Sequence, residues 1–213
     1  MPLYFDRTLE DGSRLLVWDI IETENELMNL TSLPSEEMED LTLTKNVSRR
    51  KEKLAIRALL DIAFDEKVYL SHHDNGRPYL VNNIIEISIS HTSRFAALLV
   101  SDEESVGVDI EDLTRNFSVV ERKALSDREI LDLSSKNRNL HLGIYWSAKE
   151  SIFKRMSQTD VNFAEQIEIK KFTPKDSGVI DAKFCSKDNK TTSLEVYYEI
   201  FEEHVITWIS GKC

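Results

Sequence analysis

The sequence predicts an α+β protein made of two similar lobes, each a small antiparallel sheet packed with a long helix. The chain has 213 residues, which suits one large domain or two small ones. Short apolar or alternating segments typical of strands occur in both halves, and each half contains one long segment with apolar residues at helical spacing. A polar break at residues 101–105 separates predicted lobes at 1–101 and 106–213. No repeat of individual residues accompanies this similarity.

The first half is predicted to begin with a buried strand at residues 15–21, where apolar residues run together. Thr23 and Glu26 have the spacing of a capping box that opens a short helix. A longer helix is predicted over 46–64, and turn-forming residues follow at 72–78. Alternation at 84–90 indicates a strand, and residues 95–100 form its return strand.

The second half is predicted to begin with a strand at 106–111. Three helical segments follow from about residues 117, 126 and 139, the second opened by a capping box of Ser126 and Glu129. Strands are predicted at 167–172, 179–184, 194–201 and 205–210. Each half therefore combines strands with a long helix.

Composition and charge restrict the class of protein. Hydrophobic residues make up 41% and charged residues 31%, and the net charge is −11. An acidic chain is a poor general nucleic-acid binder, because binding depends on neutralising phosphates. The cysteines, Cys185 and Cys213, fit no metal spacing and indicate free thiols in a reducing compartment. With no signal peptide and no long apolar run, we expect a cytoplasmic protein without a membrane span.

The strand at 106–111 carries two carboxylates on one face. Alternation places Val108 and Ile110 on one side and Asp109 and Glu111 on the other. Carboxylates this close repel unless a cation lies between them, and oxygen ligands suit Mg²⁺. The alternative is a solvated strand face, which is the commoner explanation of a lone D-x-E pattern.

The helix at 143–156 carries charged residues between two apolar stripes, which predict that it is mostly covered. A covered carboxylate needs a partner. Glu150 and Lys154 are four residues apart, so one interpretation is an ordinary ion pair worth ~0.3–0.5 kcal/mol. The functional interpretation makes Glu150 a third metal ligand or a general base and directs Lys154 at a phosphate.

Basic residues concentrate at 45–57, where Glu52 is the single acidic residue. This segment is either a solvated helix face or an anion site, since arginine suits phosphate. The basic residues are Lys45, Arg49, Arg50, Lys51, Lys53 and Arg57. Further along the chain, His91 at a strand end is more often structural than catalytic. His72 and His73 are interpreted as turn surface, and the turn with Arg77 and Pro78 either closes a hairpin or presents a flat face to a ring.

Together these segments resemble the 4′-phosphopantetheinyl transferase superfamily in its double-length, surfactin-synthetase-activating form. The family's G-[IV]-D-[IVL]-E strand corresponds to GVDIE at 107–111, and its W-[STC]-x-K-E-[SA]-x-x-K helix to WSAKESIFK at 146–154. Residues 76–78 look like the family's G-[KR]-P turn, and residues 88–91 like its S-x-S-H segment. Arg49, Arg50 and Arg57 are similar to its basic helix. The agreement spans about residues 46–154.

The resemblance implies a pseudo-dimeric fold with coenzyme A bound between the lobes. It also implies a cytoplasmic, monomeric transferase of the holo-acyl-carrier-protein synthase type. This enzyme moves the 4′-phosphopantetheine arm of coenzyme A to a serine of an apo acyl or peptidyl carrier protein and releases 3′,5′-ADP. The carrier, whether of fatty-acid, polyketide or nonribosomal-peptide synthesis, stays open.

The resemblance also implies roles for individual residues. Asp109, Glu111 and Glu150 would hold Mg²⁺, with Mn²⁺ as an alternative, and Lys154 would stabilise the leaving oxygen. Glu150 is the candidate base, acting directly or through a metal-bound water. A further group is implied to hold the 3′-phosphate and border the adenine of coenzyme A. These residues are Ser90, His91, Arg50, Arg57, Arg77 and Pro78.

Two other functions fit the same residues. One is a Mg²⁺-dependent hydrolase of nucleotide diphosphates, which would use water as the nucleophile. The other is a catalytically silent module that binds coenzyme A or a carrier protein. The presence of Asp109, Glu111, Glu150 and Lys154 together argues against the silent module. The acidic net charge further predicts that a carrier would dock on a locally basic or apolar surface.

Overall fold

The computed structural model describes residues 2–102 and 105–211. The chain divides into two compact units, Met1–Ser105 and Val106–Cys213. Both units mix helices with antiparallel sheets, so the predicted α+β class is confirmed. The division lies close to the predicted lobes at 1–101 and 106–213, and the pseudo-dimer stays a prediction.

The first unit is built on a four-stranded antiparallel sheet of order β1-β2-β6-β5. A two-stranded hairpin of β3 and β4 accompanies this sheet. The elements are β1 (Leu3–Thr8), β2 (Arg14–Asp19), α1 (Glu24–Leu30), α2 (Ser35–Leu43), α3 (Val47–Ala63), β3 (Leu70–His72), β4 (Pro78–Leu80), β5 (Glu86–His91) and β6 (Phe95–Ser101).

Helix α3 forms because its apolar residues recur at helical spacing, and it buries that face. Leu54, Ala58 and Leu59 pack in one core with Trp18 of β2 and Leu98 of β6. The Asn46 side chain accepts a hydrogen bond from the Arg49 amide and so caps the helix. The predicted helix at 46–64 is therefore confirmed. The capping box of Thr23 and Glu26 is confirmed as well.

The second unit is built on a five-stranded antiparallel sheet of order β7-β11-β10-β9-β8. Its core is formed where α6 packs against the sheet. The elements are β7 (Gly107–Asp112), α4 (Ser118–Ala124), α5 (Asp127–Asp132), α6 (Arg138–Met156), α7 (Phe163–Gln166), β8 (Ile167–Ile169), β9 (Ser177–Cys185), β10 (Thr191–Phe201) and β11 (His204–Ile209).

Several predicted boundaries need correction. The strand predicted at 167–172 ends at Ile169, whereas the helix predicted from about residue 139 begins at Arg138, as expected. Strand β1 and helix α2 were not predicted. Cys185 is a half-buried free thiol, whereas Cys213 lies outside the described residues. Over the described ranges, 2–102 and 105–211, none of the helices combines the length and apolar character of a membrane span.

Candidate active site

The candidate site lies where helix α6 crosses strand β7, at the edge of the second sheet. Gly107 permits this close approach. A Cβ atom built on Gly107 would lie 1.9 Å from the Ser151 carbonyl oxygen, closer than any real contact. On the same side of α6, the hydroxyls of Ser147 and Ser151 lie 3.0 Å and 2.9 Å from that of Thr207 on β11. Small residues therefore set the distance between helix and sheet.

The two carboxylates of β7 are buried. Asp109 is 5% exposed and Glu111 is 8% exposed. The alternative of a solvated strand face is therefore wrong, because helix α6 covers the strand. Buried carboxylates need counter-charges or donors, and the surroundings of each carboxylate show which it has.

Glu111 is held from two directions. The Trp146 indole N–H donates to Oε1 at 2.6 Å, and the Arg115 guanidinium forms an ion pair with Oε2. Burial and the neighbouring charge of Asp109 nevertheless raise the pKa of Glu111 to about 7. Neither partner was predicted from the sequence, although a covered tryptophan N–H indicates that a hydrogen-bond acceptor is close.

Glu150 and Lys154 do not form the simple helical ion pair that the sequence allowed. The Lys154 ammonium donates instead to Asp109 Oδ1 at 2.8 Å and to the Val108 carbonyl at 2.9 Å. In the part of the chain that the structure describes, Glu150 forms no ion pair. Burial, followed by the charge of Asp109, raises the pKa of Glu150 to about 7. The structure therefore brings Asp109, Glu111, Glu150 and Lys154 into one electrostatic cluster.

The donor set of this cluster suits a hard divalent cation in chemistry. Its three carboxylates are largely covered, and two of them have pKa values raised by burial and by Asp109. A bound cation relieves this repulsion. Within residues 2–102 and 105–211, however, no three acidic, His or Cys side chains are arranged as a metal site. Instead, Lys154 forms an ion pair with Asp109, and Arg115 forms one with Glu111.

Lys149, the residue before Glu150, is wholly buried. Its ammonium donates to Glu129 Oε2 at 2.8 Å and to the carbonyls of Phe163 and Ile167 at 2.9 Å and 2.7 Å. Glu129 in turn accepts the Ile169 amide at 2.8 Å and completes the capping box with Ser126. Lys149 therefore joins α6 to α5 and β8 and has a structural role.

The first unit places the predicted arginines in different surroundings. Arg57 is 1% exposed and donates to Asp61, Glu37 and the Val68 carbonyl. This burial argues against its predicted role at the 3′-phosphate of coenzyme A. Arg50 forms two hydrogen bonds with Glu24, at 2.7 Å and 2.8 Å.

Arg49 and His91 lie together in the first unit, beside the buried carboxylate of Glu52. One Arg49 nitrogen is 3.1 Å from Glu52 Oε2 and 3.3 Å from His91 Nε2. Glu52 Oε2 is also 3.2 Å from His91 Nδ1. Ser90, which precedes His91 on β5, is buried. From the sequence, His91 was predicted to help hold the 3′-phosphate of coenzyme A, whereas Arg49 was not.

The predicted turn at 72–78 is confirmed as the connection between β3 and β4. Gly76 has a φ of +82°, which glycine adopts without strain. Arg77 pairs with Glu86, and Pro78 begins β4. His72 and His73 are exposed, as expected for turn surface, and the His73 ring stacks on Tyr79 with centroids 4.3 Å apart.

The family model described as ACPS, 4′-phosphopantetheinyl transferase superfamily, matches residues 105–209. This segment contains β7, α6 and the whole cluster of acidic residues. Residues 105–209 are therefore similar to the 4′-phosphopantetheinyl transferase superfamily. The superfamily transfers phosphopantetheine from coenzyme A to carrier proteins, typically with a divalent metal. The comparison with curated proteins gave no match.

Proposed function

We propose that this chain transfers the 4′-phosphopantetheine arm of coenzyme A to a serine hydroxyl of an apo acyl or peptidyl carrier protein. The other product is 3′,5′-ADP. The observation that carries the proposal is the covered cluster of Asp109, Glu111 and Glu150, with Lys154 beside it, inside the matched domain. The double-length surfactin-activating type, a monomeric state and a cytoplasmic location belong to this proposal.

The residues of the cluster have separate tasks in this reaction. Asp109, Glu111 and Glu150 would hold Mg²⁺ or Mn²⁺, which supplies positive charge to the diphosphate of coenzyme A. Glu150 is the proposed acceptor of the proton of the attacking serine, either directly or through a metal-bound water. Trp146 fixes the orientation of the Glu111 carboxylate through its N–H.

Lys154 stabilises the charge that develops on the leaving oxygen. Its ammonium is fixed by the Val108 carbonyl and Asp109, so it loses little freedom when the reaction begins. At the same time a quarter of its side-chain surface is exposed, so the residue is not sealed from a ligand. The oxygen that departs then belongs to 3′,5′-ADP, and the new phosphoester oxygen belongs to the carrier serine.

The first unit offers a separate group for the 3′-phosphate of coenzyme A. Arg49 and His91 supply nitrogen donors, and Ser90 precedes His91 in the chain. The side chain of Arg49 is more exposed than that of Arg50. Arg50 stays a second candidate, although its guanidinium donates to Glu24 and to the carbonyls of Thr44 and Lys45. Arg77 and Pro78 are proposed to border the adenine. Arg57 is left out because its guanidinium is buried among protein acceptors.

Helix α4 is the candidate surface for the carrier protein. It exposes Val119 and carries Arg122 and Lys123 in its last turn. A basic and apolar surface of this kind suits an acidic carrier, despite the acidic total of this chain. Changing both Arg122 and Lys123 to Glu should raise the carrier KM at low salt and leave the KM for coenzyme A unchanged. An unchanged carrier KM would contradict this docking surface.

The decisive experiment is mass spectrometry of apo carriers incubated with the protein, coenzyme A and Mg²⁺. We expect one phosphopantetheine group to be added to a carrier, together with release of 3′,5′-ADP. An acyl carrier protein and a peptidyl carrier domain, each with a Ser→Ala control, test the choice of acceptor. Asp109→Ala should abolish the transfer while the variant stays folded.

The alternatives have distinct results in the same assay. Release of 3′,5′-ADP without any carrier would favour the hydrolase. Binding of coenzyme A without turnover on either carrier would favour the silent binding module. A wild-type rate in Asp109→Ala would remove the metal role of this carboxylate.

A further inference from the structure

Arg115 occupies an unusual position among the cations of the site. It lies in the loop after β7, four residues beyond Glu111, and its guanidinium pairs with Glu111 Oε2. Its side chain is 57% exposed, whereas that of Glu111 is 10% exposed. An exposed cation therefore pairs with one of the buried carboxylates proposed to hold a metal.

The three groups that surround the carboxylates differ in how easily they can leave. The Trp146 indole packs near the Phe163 ring, with centroids 5.6 Å apart, while it donates to Glu111. Lys154 has a second acceptor, the Val108 carbonyl, that holds it in place. The Arg115 guanidinium lies 5.3 Å from the centre of the Phe117 ring and is largely in solvent. Arg115 can therefore swing away with the smallest structural change.

We propose that Arg115 is a displaceable counter-ion, which occupies Glu111 in the cation-free protein and must leave before a divalent cation can bind that carboxylate. This inference rests on the metal role in the proposed function. It explains why the acidic side chains are close enough to raise one another's pKa but are not arranged as a metal site. The guanidinium and the divalent cation compete for the same oxygen.

The competition has a clear consequence for affinity. Part of the binding energy of the cation is spent on breaking the Arg115–Glu111 ion pair, so removal of the guanidinium should tighten cation binding. A pair with one exposed partner contributes a modest amount, and the expected gain is about 2- to 5-fold. Salt screens an exposed cation, so this gain should shrink as the ionic strength rises.

The test is a titration of the protein with Mn²⁺, followed by the electron paramagnetic resonance signal of the free ion. It is performed at low ionic strength on the full chain, with and without coenzyme A. Arg115→Gln should lower the Mn²⁺ Kd by about 2- to 5-fold. Arg115→Lys, which keeps the charge but not the planar fork, should lie between wild type and Arg115→Gln.

Arg128→Gln is the matched control. It removes the same charge from an exposed arginine of the same unit, one that pairs with Glu168 away from the cluster. Its Kd should equal that of wild type. An equal shift in Arg128→Gln and Arg115→Gln would overturn the proposal, because the effect would then come from net charge alone.

Failure of this inference can be distinguished from failure of the proposed function. If wild type and Arg115→Gln bind Mn²⁺ with equal affinity, Arg115 is not a competitor, although the metal role of the carboxylates stands. Weaker binding by Arg115→Gln would also overturn the inference. If neither protein binds Mn²⁺ in either condition, both the counter-ion and the proposed metal site are wrong.

Discussion

Lys149 and Glu150 are neighbours on helix α6, but the structure satisfies the charge of only one of them. Lys149 is enclosed by a carboxylate and two carbonyls, all within 2.9 Å. Glu150 lies among the like charges of Asp109 and Glu111, which the attraction of Lys154 offsets only in part. The surroundings of Lys149 therefore resemble a finished core, and those of Glu150 resemble a site that awaits a cation.

The contrast separates two kinds of residue within a single sequence motif. A buried charge with every partner in place fixes geometry, because leaving that geometry exposes an unpaired ion. A buried charge whose neighbours oppose it stores repulsion that a ligand can relieve. Lys149 therefore positions α6, whereas Glu150 belongs to the chemistry.

The largest effect on stability is expected from Lys149→Met. This substitution tests the structural role that distinguishes Lys149 from Glu150. The substitution leaves Glu129 buried without its counter-ion, and breaking a buried pair costs about 3–5 kcal/mol. The free energy of unfolding should fall by that amount in urea denaturation followed by circular dichroism. Lys170→Met, which removes an exposed pair with Asp181, should change it by less than about 1 kcal/mol.

The double variant Lys149→Met with Glu129→Gln provides an internal check. Because neither charge then remains in the core, it should recover part of the stability that Lys149→Met loses. A loss in Lys149→Met no larger than that in Lys170→Met would contradict the structural role of Lys149.

The next effect is the loss of activity in Glu150→Gln, which removes the charge on the reactive side. Removal of a general base typically lowers kcat by about 10²–10⁴-fold. The rate is measured from holo-carrier formation under saturating coenzyme A and Mg²⁺. Retained activity together with a large loss of stability would assign Glu150 to the structure instead.

The stability of Glu150→Gln should also differ from wild type in its dependence on pH. The raised pKa means that the folded protein binds more protons than the unfolded chain between the usual value of 4.5 and about 7. The contribution of Glu150 to the free energy of unfolding therefore falls as the pH rises through that window. In metal-free Glu150→Gln this fall should be shallower than in wild type.

The smallest effect is expected at His141, a buried titratable group nearer the start of α6. Its Nδ1 accepts the Ser134 amide at 3.0 Å, and burial lowers its pKa. The unfolded chain then binds more protons below about pH 6.5, so stability should fall as the pH drops towards 5.5. His141→Gln should reduce this dependence, whereas exposed His73→Gln should preserve it.

Much of the fold was predictable because its signals are local. The alternation of Val108 and Ile110 with Asp109 and Glu111 predicted β7, and the capping boxes at Thr23 and Ser126 predicted two helix starts. Strand β1 gave no such signal, because most of its residues are exposed at the sheet edge. Its strand conformation comes from pairing with β2, which is a long-range contact.

The site was predictable in its residue types but not in its pairings. The motif marked Glu150 and Lys154, and their spacing allowed an ion pair with each other. In the structure Lys154 pairs with Asp109 instead, because the close approach of α6 to β7 at Gly107 brings the lysine over the strand. Trp146 was missed for the same reason, since its partner Glu111 lies on a distant element. Arg115 lies only four residues beyond Glu111, but in a loop, where no regular spacing predicts a pair.

The link between Glu129 and Lys149 also governs how this domain opens. Helix α5 has six residues, too few to persist alone in water. The carboxylate of Glu129, in the first turn of α5, is the buried counter-ion of Lys149 and also accepts a hydrogen bond from the Ile169 amide. Unwinding of α5 would leave the Lys149 ammonium in the core without its counter-ion. This short helix should therefore fray no earlier than α6. Its amide protons should exchange with solvent only when the whole domain unfolds.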